Sequence, residues 1–522
     1  MKKHWFAFGA MVTILIGTCA ASAQQTDTLR FRLGEDPETL YNVQTISLTA
    51  IATLGDYMIE RLVHIDRNGR PSPWLSESWA VSQDQTQITF KLRSGIKFHD
   101  GTPLDAAAAK AQFDAILDPK NASPVKPFIG PLKAVEVVDG GSVRFIFEKP
   151  FAPFFNVMAL GSFGINSPTA VAKFGRTYGR NPVGTGPYMF KSWVAGTEIN
   201  LARNPDFRQF RSDAVNKGPA LTEKVQLKVI QEEGVAQAAL ETGEITAAGL
   251  QADVITRFAN DPKFNVIVAK NATNLVFLEF NMKRAPFDDP KFRRALSHAI
   301  DRKSAVEAAW SGYANEALGP LALGIPGFDK AVVDKHAAPF DPAKAKALFA
   351  EAGWTSVGGK LQKDGKPAKF LIKSYSGFTH IDRTLAVVQS NLKDIGIEST
   401  LETADWGAFY PSLLKGEFDM DLMRWTYNDP VVLTNLFKET GHRKLLAQNA
   451  SIDTVLNRCD GLMDPEARLG CVSEAQKILL EQMTIVPVLT NWIVIATQKN
   501  VEQYSLDFNG ALIPGDVRIG KR

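Results

Sequence analysis

Cysteine is scarce in this chain, and neither sign of charge is in excess. The sequence has three cysteines, and its 59 lysine and arginine residues are balanced by 56 aspartate and glutamate residues. Such a balance gives no reason to expect a nucleic-acid partner. The HExxH, GxSxG and CxxC motifs are absent, and the seven histidines are scattered without metal-ligand spacing. The sequence therefore predicts no catalytic residue, no metal site and no cofactor.

Long apolar runs are also missing, except at the N-terminus. A basic start precedes an acid-free apolar run at 5–18, which ends in the small residues Ala21-Ser22-Ala23. This order is typical of a secretory signal peptide over 1–23, cleaved near Ala23, and it predicts a periplasmic protein. A transmembrane anchor would need about 20 apolar residues, more than this run supplies. Lipidation of Cys19 is a second alternative, which the preceding Thr18 argues against.

Signal removal would leave two cysteines, Cys459 and Cys471. An oxidising compartment favours their pairing in a disulfide. Both lie in a predicted helical hairpin, 452–463 and 466–483, with a turn at Asp464-Pro465. The alternative is that both remain free thiols buried as small apolar groups.

The most distinctive stretch is Asn181-Pro182-Val183-Gly184-Thr185-Gly186-Pro187-Tyr188. Its prolines fix φ and its glycines permit a positive φ, which predicts a rigid, doubly turned loop. Together with Trp193 and the run 201–207, it resembles the signature of the extracytoplasmic solute-binding proteins of family 5. That family serves the dipeptide, oligopeptide and nickel ABC importers.

Further blocks carry the same resemblance across the predicted mature chain. They are 73–79, 88–103, 285–302 and 341–354. In the second block, Thr102 is predicted to be the N-cap of a helix, with Pro103 at its first position and Asp105 at its third. In the third, Asp289 is predicted to cap a helix that begins at Pro290.

The resemblance implies an α/β fold with two lobes, a periplasmic-binding-protein fold of cluster C type. Lobe 1 is expected to comprise 24–57, 171–272 and 490–522, interrupted by an extra subdomain at 58–170. Lobe 2 is expected at 273–489, with a hinge between the lobes. The run 275–280, apolar except at Glu279, suits a strand that is covered on both faces where the chain crosses between lobes.

The resemblance also implies a function. The protein would enclose a small solute between its lobes and deliver it to an ABC permease whose ATPase subunits are separate. It would act as a monomer and catalyse no reaction. The alternatives are a secreted hydrolase with an unrecognised active site, and a nickel-chelate binding protein of the same family.

Six ligand contacts are inferred from blocks that match the family's cleft. These are Tyr41, Trp406, Arg424, Trp425, Thr426 and Asp429. Aromatic and arginine side chains give contact area and pair with anions. Four of them have a structural alternative: the two tryptophans as core aromatics, Arg424 as a surface charge, and Asp429 as a turn residue before a proline.

The loop that follows Arg424 bears on the class of solute. Family members that bind peptides anchor the ligand's ammonium with an acidic residue, three positions before the acid-Pro pair, and here that position is Thr426. A hydroxyl cannot supply the ionic half of a charge-assisted hydrogen bond. The expected solute is therefore not an ordinary free peptide. It is instead an opine, a sugar conjugate, a blocked peptide or a metal chelate, unless a shift in the alignment makes Asp429 or Asp421 the anchor.

Overall fold

The computed structural model describes residues 27–270, 273–376, 379–438, 450–508 and 510–520. The predicted signal peptide, with Cys19 and Ala23, lies outside these ranges. Among the helices that the structure describes, none is both long and apolar enough to cross a membrane.

Strands and helices alternate along most of the chain. The first part forms β1 (Thr28–Leu33), α1 (Leu48–Tyr57), β2 (Val63–Ile65), β3 (Pro71–Pro73), β4 (Ser76–Val81), β5 (Gln87–Leu92), α2 (Ala106–Leu117), β6 (Leu132–Asp139), β7 (Ser142–Phe147), α3 (Phe154–Met158) and α4 (Pro168–Phe174). The second part forms β8 (Tyr188–Val194), β9 (Glu198–Arg203), β10 (Lys224–Val229), α5 (Glu233–Thr242), β11 (Ala247–Gly249), α6 (Ile255–Asn260) and β12 (Phe264–Ala269).

The third part forms β13 (Asn274–Phe280), α7 (Pro290–Ala299), α8 (Arg302–Trp310), β14 (Ala314–Glu316), α9 (Lys330–His336), α10 (Pro342–Glu351), β15 (Thr355–Val357), β16 (Lys360–Lys363), β17 (Lys366–Pro367), β18 (Lys369–Tyr375), α11 (Thr379–Asp394), β19 (Glu398–Ala404), α12 (Trp406–Leu414) and β20 (Met420–Thr426). The last part forms α13 (Val431–Phe437), α14 (Ala450–Gly461), α15 (Pro465–Gln482), β21 (Ile485–Asn491), β22 (Ile493–Gln498), β23 (Val501–Gln503) and β24 (Arg518–Ile519).

Two large sheets organise the molecule. A seven-stranded sheet has the order β12-β22-β11-β1-β10-β9-β8, and a six-stranded sheet has the order β14-β21-β13-β20-β18-β19. Every residue of β13 is buried, as its apolar run predicts for a central strand. The mixed helix and sheet content confirms the predicted α/β class, and the exact lobe boundaries stay predictions.

A separate four-stranded sheet, β4-β5-β7-β6, lies under α2. Its core-facing side chains alternate along β5, where Ile88, Phe90 and Leu92 are buried. The predicted start of α2 was wrong, because Asp105 is the N-cap and its side chain accepts the N–H of Ala108. Thr102 instead donates its hydroxyl to Asp100 Oδ1, at 2.5 Å, and so belongs to the preceding turn.

The chain passes between the two large sheets twice, once from β12 to β13 and once from β21 to β22. The two passages are tied together by reciprocal amide hydrogen bonds. Asn274 Nδ2 donates to Asn491 O at 3.0 Å, and Asn491 N donates to Asn274 Oδ1 at 3.1 Å. Each passage is thereby fixed to the other at the place where any motion between the sheets must be accommodated.

The 181–188 loop is rigid for a different reason from the one predicted. Neither Gly184 nor Gly186 has a positive φ. A Cβ added to Gly184 would lie 2.3 Å from Met58 O, and one added to Gly186 would lie 2.7 Å from Met58 C. The glycines therefore serve the close approach of two backbone segments, which the N–H of Gly186 closes by donating to Met58 O at 2.9 Å.

Candidate functional site

The candidate site lies where the chain crosses between the large sheets. Thr426, at the end of β20, is the register partner of Asn274 on β13, and Asn274 is hydrogen-bonded in turn to Asn491. Thr426 is exposed. The predicted ligand loop, 426–430, therefore begins at the hinge side of the six-stranded sheet.

Arg424 faces a histidine that the sequence did not single out. Its Nη1 atom lies 3.3 Å from His380 Nε2, on α11. The ring of His380 packs at 4.6 Å from that of Trp310. Burial, and then the positive charge of Arg424, lower the pKa of His380 to about 4, so the imidazole is neutral at pH 7. Arg424 thus supplies a positive charge beside a neutral, ring-packed imidazole.

Trp425 is half-buried against the core and lies beside Tyr427, with ring centroids 5.8 Å apart. Trp492, in the second passage, packs edge-on against Tyr313 at 6.0 Å, and Lys270 Nζ lies 4.7 Å from its ring centre. The indole N–H groups of Trp425 and Trp492 are buried and have no hydrogen-bond partner among the described residues. Both donors are unsatisfied and shielded from solvent, so only an acceptor group enclosed directly beside them could pair with them.

A cavity of about 190 Å³ opens between the two sheets' helices. One wall comes from the segment 233–253 and the other from α8 and α11, which contribute Ala309, His380 and Arg383. On the first wall, the Glu233 carboxylate is paired with Arg32 at 2.9 Å. The cavity is therefore polar and lined from both sides, as expected for a site that closes around a solute.

Asp429 is placed differently from the other predicted contacts. Only 1% of it is exposed, and Arg468 on α15 binds both of its oxygens, at 2.6 and 2.7 Å. Asn156 Nδ2 donates to the same carboxylate at 2.6 Å. Its oxygens are thus taken up by groups of the protein, and a direct contact with ligand stays a prediction.

Tyr41 lies away from this region. It packs against the core of the four-stranded sheet and edge-on to Tyr178, with centroids 4.9 Å apart. The side chain of Trp406 lies outside the described residues. The structure therefore brings Arg424, Trp425 and Thr426 together on β20, but not Tyr41.

The predicted helical hairpin is present as α14 and α15, with Asp464 as the N-cap of the second helix. Cys459 and Cys471 are joined across it, with Cα atoms 5.4 Å apart. Within the ranges that the structure covers, no group of three or more His, Cys, Asp or Glu side chains could hold a metal ion.

Sequence reasoning missed His380, Trp492 and Lys270. His380 and Arg424 are 44 positions apart, and no local pattern links them. A signal for Trp492 did exist, because it lies in 490–522, the segment that was predicted to return to lobe 1.

Comparison with known proteins gives one family match. A family model described as bacterial extracellular solute-binding proteins, family 5, middle region, matches residues 70–443. Among curated proteins, the glutathione-binding protein GsiB of Salmonella paratyphi A is 27% identical over 463 residues, covering 84% of each chain.

Two solved structures show the same fold. NikA from Brucella suis, in complex with Fe(III)-EDTA, has a TM-score of 0.84 at 23% identity, covering 94% of this chain and 99% of its own. AgaA from A. tumefaciens R10, in complex with agropinic acid, has a TM-score of 0.74 at 24% identity, covering 95% and 99%. At these identities the likeness concerns the fold and leaves the solute open.

Proposed function

Because the chain belongs to family 5 of the bacterial extracellular solute-binding proteins, we propose that it captures a small solute between two lobes for an ABC importer. The observation that carries this proposal is the family match over residues 70–443, more than half of the chain. Solute binding shifts a hinge equilibrium toward a closed form, since only the closed form lets one solute touch both lobes.

The remaining steps follow from this role. The signal peptide 1–23 is removed near Ala23, and the mature protein works in the periplasm as a monomer. The closed form docks on a membrane permease, and separate subunits hydrolyse ATP. We propose no reaction for the chain itself.

We propose that the solute is rich in acceptors and carries negative charge. Arg424 and Arg383 bring positive charge to the region, and the indoles of Trp425 and Trp492 offer unpartnered donors. Burying an anion requires such partners. Relatives fit this pattern, because GsiB is named for glutathione and AgaA was solved with agropinic acid.

The absence of an acid at Thr426 supports a solute whose recognition does not depend on an α-ammonium. A free dipeptide would place its ammonium beside a hydroxyl. The free energy of burying that charge would exceed the free energy gained from a hydrogen bond to a neutral group. Glutathione, with two carboxylates and a net negative charge, and an opine whose amine is substituted instead offer anionic groups to Arg424 and its neighbours.

A thermal-shift panel tests the solute class. It compares reduced glutathione, agropinic acid, N-acetylated dipeptide, free Met-Leu dipeptide and nickel-histidine. We expect stabilisation by an anionic member and little by free Met-Leu. Strong stabilisation by free peptides that is lost on N-acetylation would show that an amine anchor exists and was misplaced.

A tryptophan substitution tests the site itself. Trp425→Phe keeps an aromatic side chain and removes the indole N–H. The best solute of the panel should therefore bind roughly tenfold more weakly. Trp193→Phe is the matched control, since its indole donates to Asp36 on the seven-stranded sheet's side. Equal affinities of wild type and Trp425→Phe would remove Trp425 from the site.

A further inference from the structure

A second set of contacts joins the four-stranded unit to the predicted ligand loop. Asn156, on α3, is 6% exposed. Its Nδ2 atom donates to Asp429 Oδ2 at 2.6 Å and to Asn428 O at 3.3 Å. Asn428 Nδ2 donates back to Asn156 O at 3.4 Å. Asn156 therefore holds two consecutive residues of the 426–430 loop from outside the six-stranded sheet.

The side chain that accepts the hydrogen bond of Asn156 is Asp429, which forms an ion pair with Arg468. Both members of this pair lie outside the four-stranded unit. Arg468 on α15 binds Asp429 through two parallel N–H groups, and Asp429 Oδ1 also accepts the N–H of Val431 at 2.7 Å. Both partners of the pair are largely buried, with side-chain exposures of 12% and 2%. The bidentate pair fixes the carboxylate, so its remaining lone pair points at Asn156.

The helical hairpin extends the same seam. The N–H of Ala152 donates to Asp460 O, at the end of α14, at 2.8 Å. Met463, in the turn of the hairpin, packs against the core of the four-stranded unit. The disulfide between Cys459 and Cys471 links α14, which carries Asp460, to α15, which carries Arg468.

We propose that Asn156, docked on the Asp429–Arg468 pair, is a closure contact that positions the ligand loop. The proposal rests on the hinge motion of the proposed function. When the lobes separate, Arg468 and Asp429 stay together, whereas Asn156 leaves and water replaces it. The seam therefore forms only in the closed form, and it transmits closure to the 426–430 loop without touching solute.

This arrangement accounts for Asp429 better than a direct ligand contact does. A buried carboxylate with a bidentate arginine, a backbone donor and an amide donor has its acceptor sites filled. Asp429 is thus a positioning residue, and the free surface of the loop is left to Thr426 at its start.

Hydrogen exchange at Ala152 tests the proposal, because its N–H is buried in the seam and reports closure. Peptides covering 150–156 are followed by mass spectrometry in the intact protein, with and without the solute that stabilises the protein most in the thermal-shift panel. Asn156→Leu removes the donor at similar volume. Asn156→Asp places a second carboxyl beside Asp429, which repels it when ionised and donates to it when protonated.

With that solute bound, we expect Asn156→Leu to exchange at least about tenfold faster than wild type at every pH, whereas without it the two should exchange alike. Asn156→Asp should be fast at pH 8 and regain protection at pH 5, after correction for the intrinsic rate. Glu466→Gln is the matched control, since its pair with Arg70 crosses the same seam but is 65% and 71% exposed and should matter little.

Equal exchange in wild type and Asn156→Leu with that solute bound, or fast exchange in wild type under both conditions, would overturn the proposal. A merely structural role for Asn156 would make Asn156→Leu exchange faster by the same factor with and without solute. Failure of glutathione to stabilise the protein in the thermal-shift panel would count against the solute class alone, because the exchange comparison then uses another member of the panel that binds.

Discussion

Asp421 and Glu279 lie directly opposite each other on β20 and β13, and neither is exposed to solvent. Lys373 on β18 is the register partner of Asp421 on its other side, but its Nζ atom pairs with Glu402 at 2.9 Å. Burial raises the pKa of Asp421 well above its ordinary value of 3.8. The folded protein therefore keeps a proton in its central sheet that the unfolded chain releases.

This proton predicts a pH dependence of stability. Because the folded state binds it and the unfolded state loses it above pH 3.8, the contribution is present at low pH and declines as pH rises. Asp421→Asn should flatten this decline above pH 3.8 by up to about 1.4 kcal/mol per pH unit. Urea unfolding across that range measures it.

Asp334→Asn is the control for that measurement, since Asp334 is exposed in a pair with Lys330 on α9. Its pH profile should match that of wild type. If the free energy of unfolding of wild type rises with pH and Asp421→Asn leaves this profile unchanged, Asp421 is ionised in the folded protein.

At the scale of the element, one disulfide across the α14–α15 hairpin should contribute measurably to the free energy of unfolding. Cys459 and Cys471 are 12 residues apart in sequence. If they are bonded in solution, Cys459→Ser with Cys471→Ser should lower the free energy of unfolding by about 3 kcal/mol. Non-reducing peptide mapping checks the bond and thermal unfolding checks the loss. Two free thiols in protein from an oxidising compartment would contradict the pairing.

Elements were predictable where a local pattern decides them. The alternation over 88–92, the apolar run at 275–280 and the Asp-Pro cap at 464–465 each gave the observed strand or helix. The start of α2 was mispredicted because the hydroxyl of Thr102 is hydrogen-bonded to Asp100 and so does not cap the helix. The residues near Thr102 do not by themselves show whether Thr102 or Asp105 is the N-cap.

The site was less predictable because its partners are distant in sequence. The sequence placed Thr426 at the start of the ligand loop, whereas the structure has Arg424, Trp425 and Thr426 on one strand, β20. The partners of Asp429 come from α3 and α15, at sequence separations of 273 and 39 residues. Only the packed fold shows that its carboxylate is already engaged.

At the scale of the whole molecule, closure should change shape measurably. The cavity beside His380 needs the two large sheets to approach each other, and the seam at Asn156 needs the four-stranded unit to approach the six-stranded sheet. Small-angle X-ray scattering should show a smaller radius of gyration with the best solute of the panel than without it. An unchanged radius, with binding shown by calorimetry, would contradict the hinge motion.

The strand order of the seven-stranded sheet has a consequence for the chain's biogenesis. β22, from residues 493–498, lies between β12 and β11, in the interior of a sheet whose other strands come before residue 270. That sheet cannot be completed until the last strand arrives, so more than 200 intervening residues must emerge first. We therefore expect the seven-stranded sheet to be completed late in folding, after β22 has been synthesised.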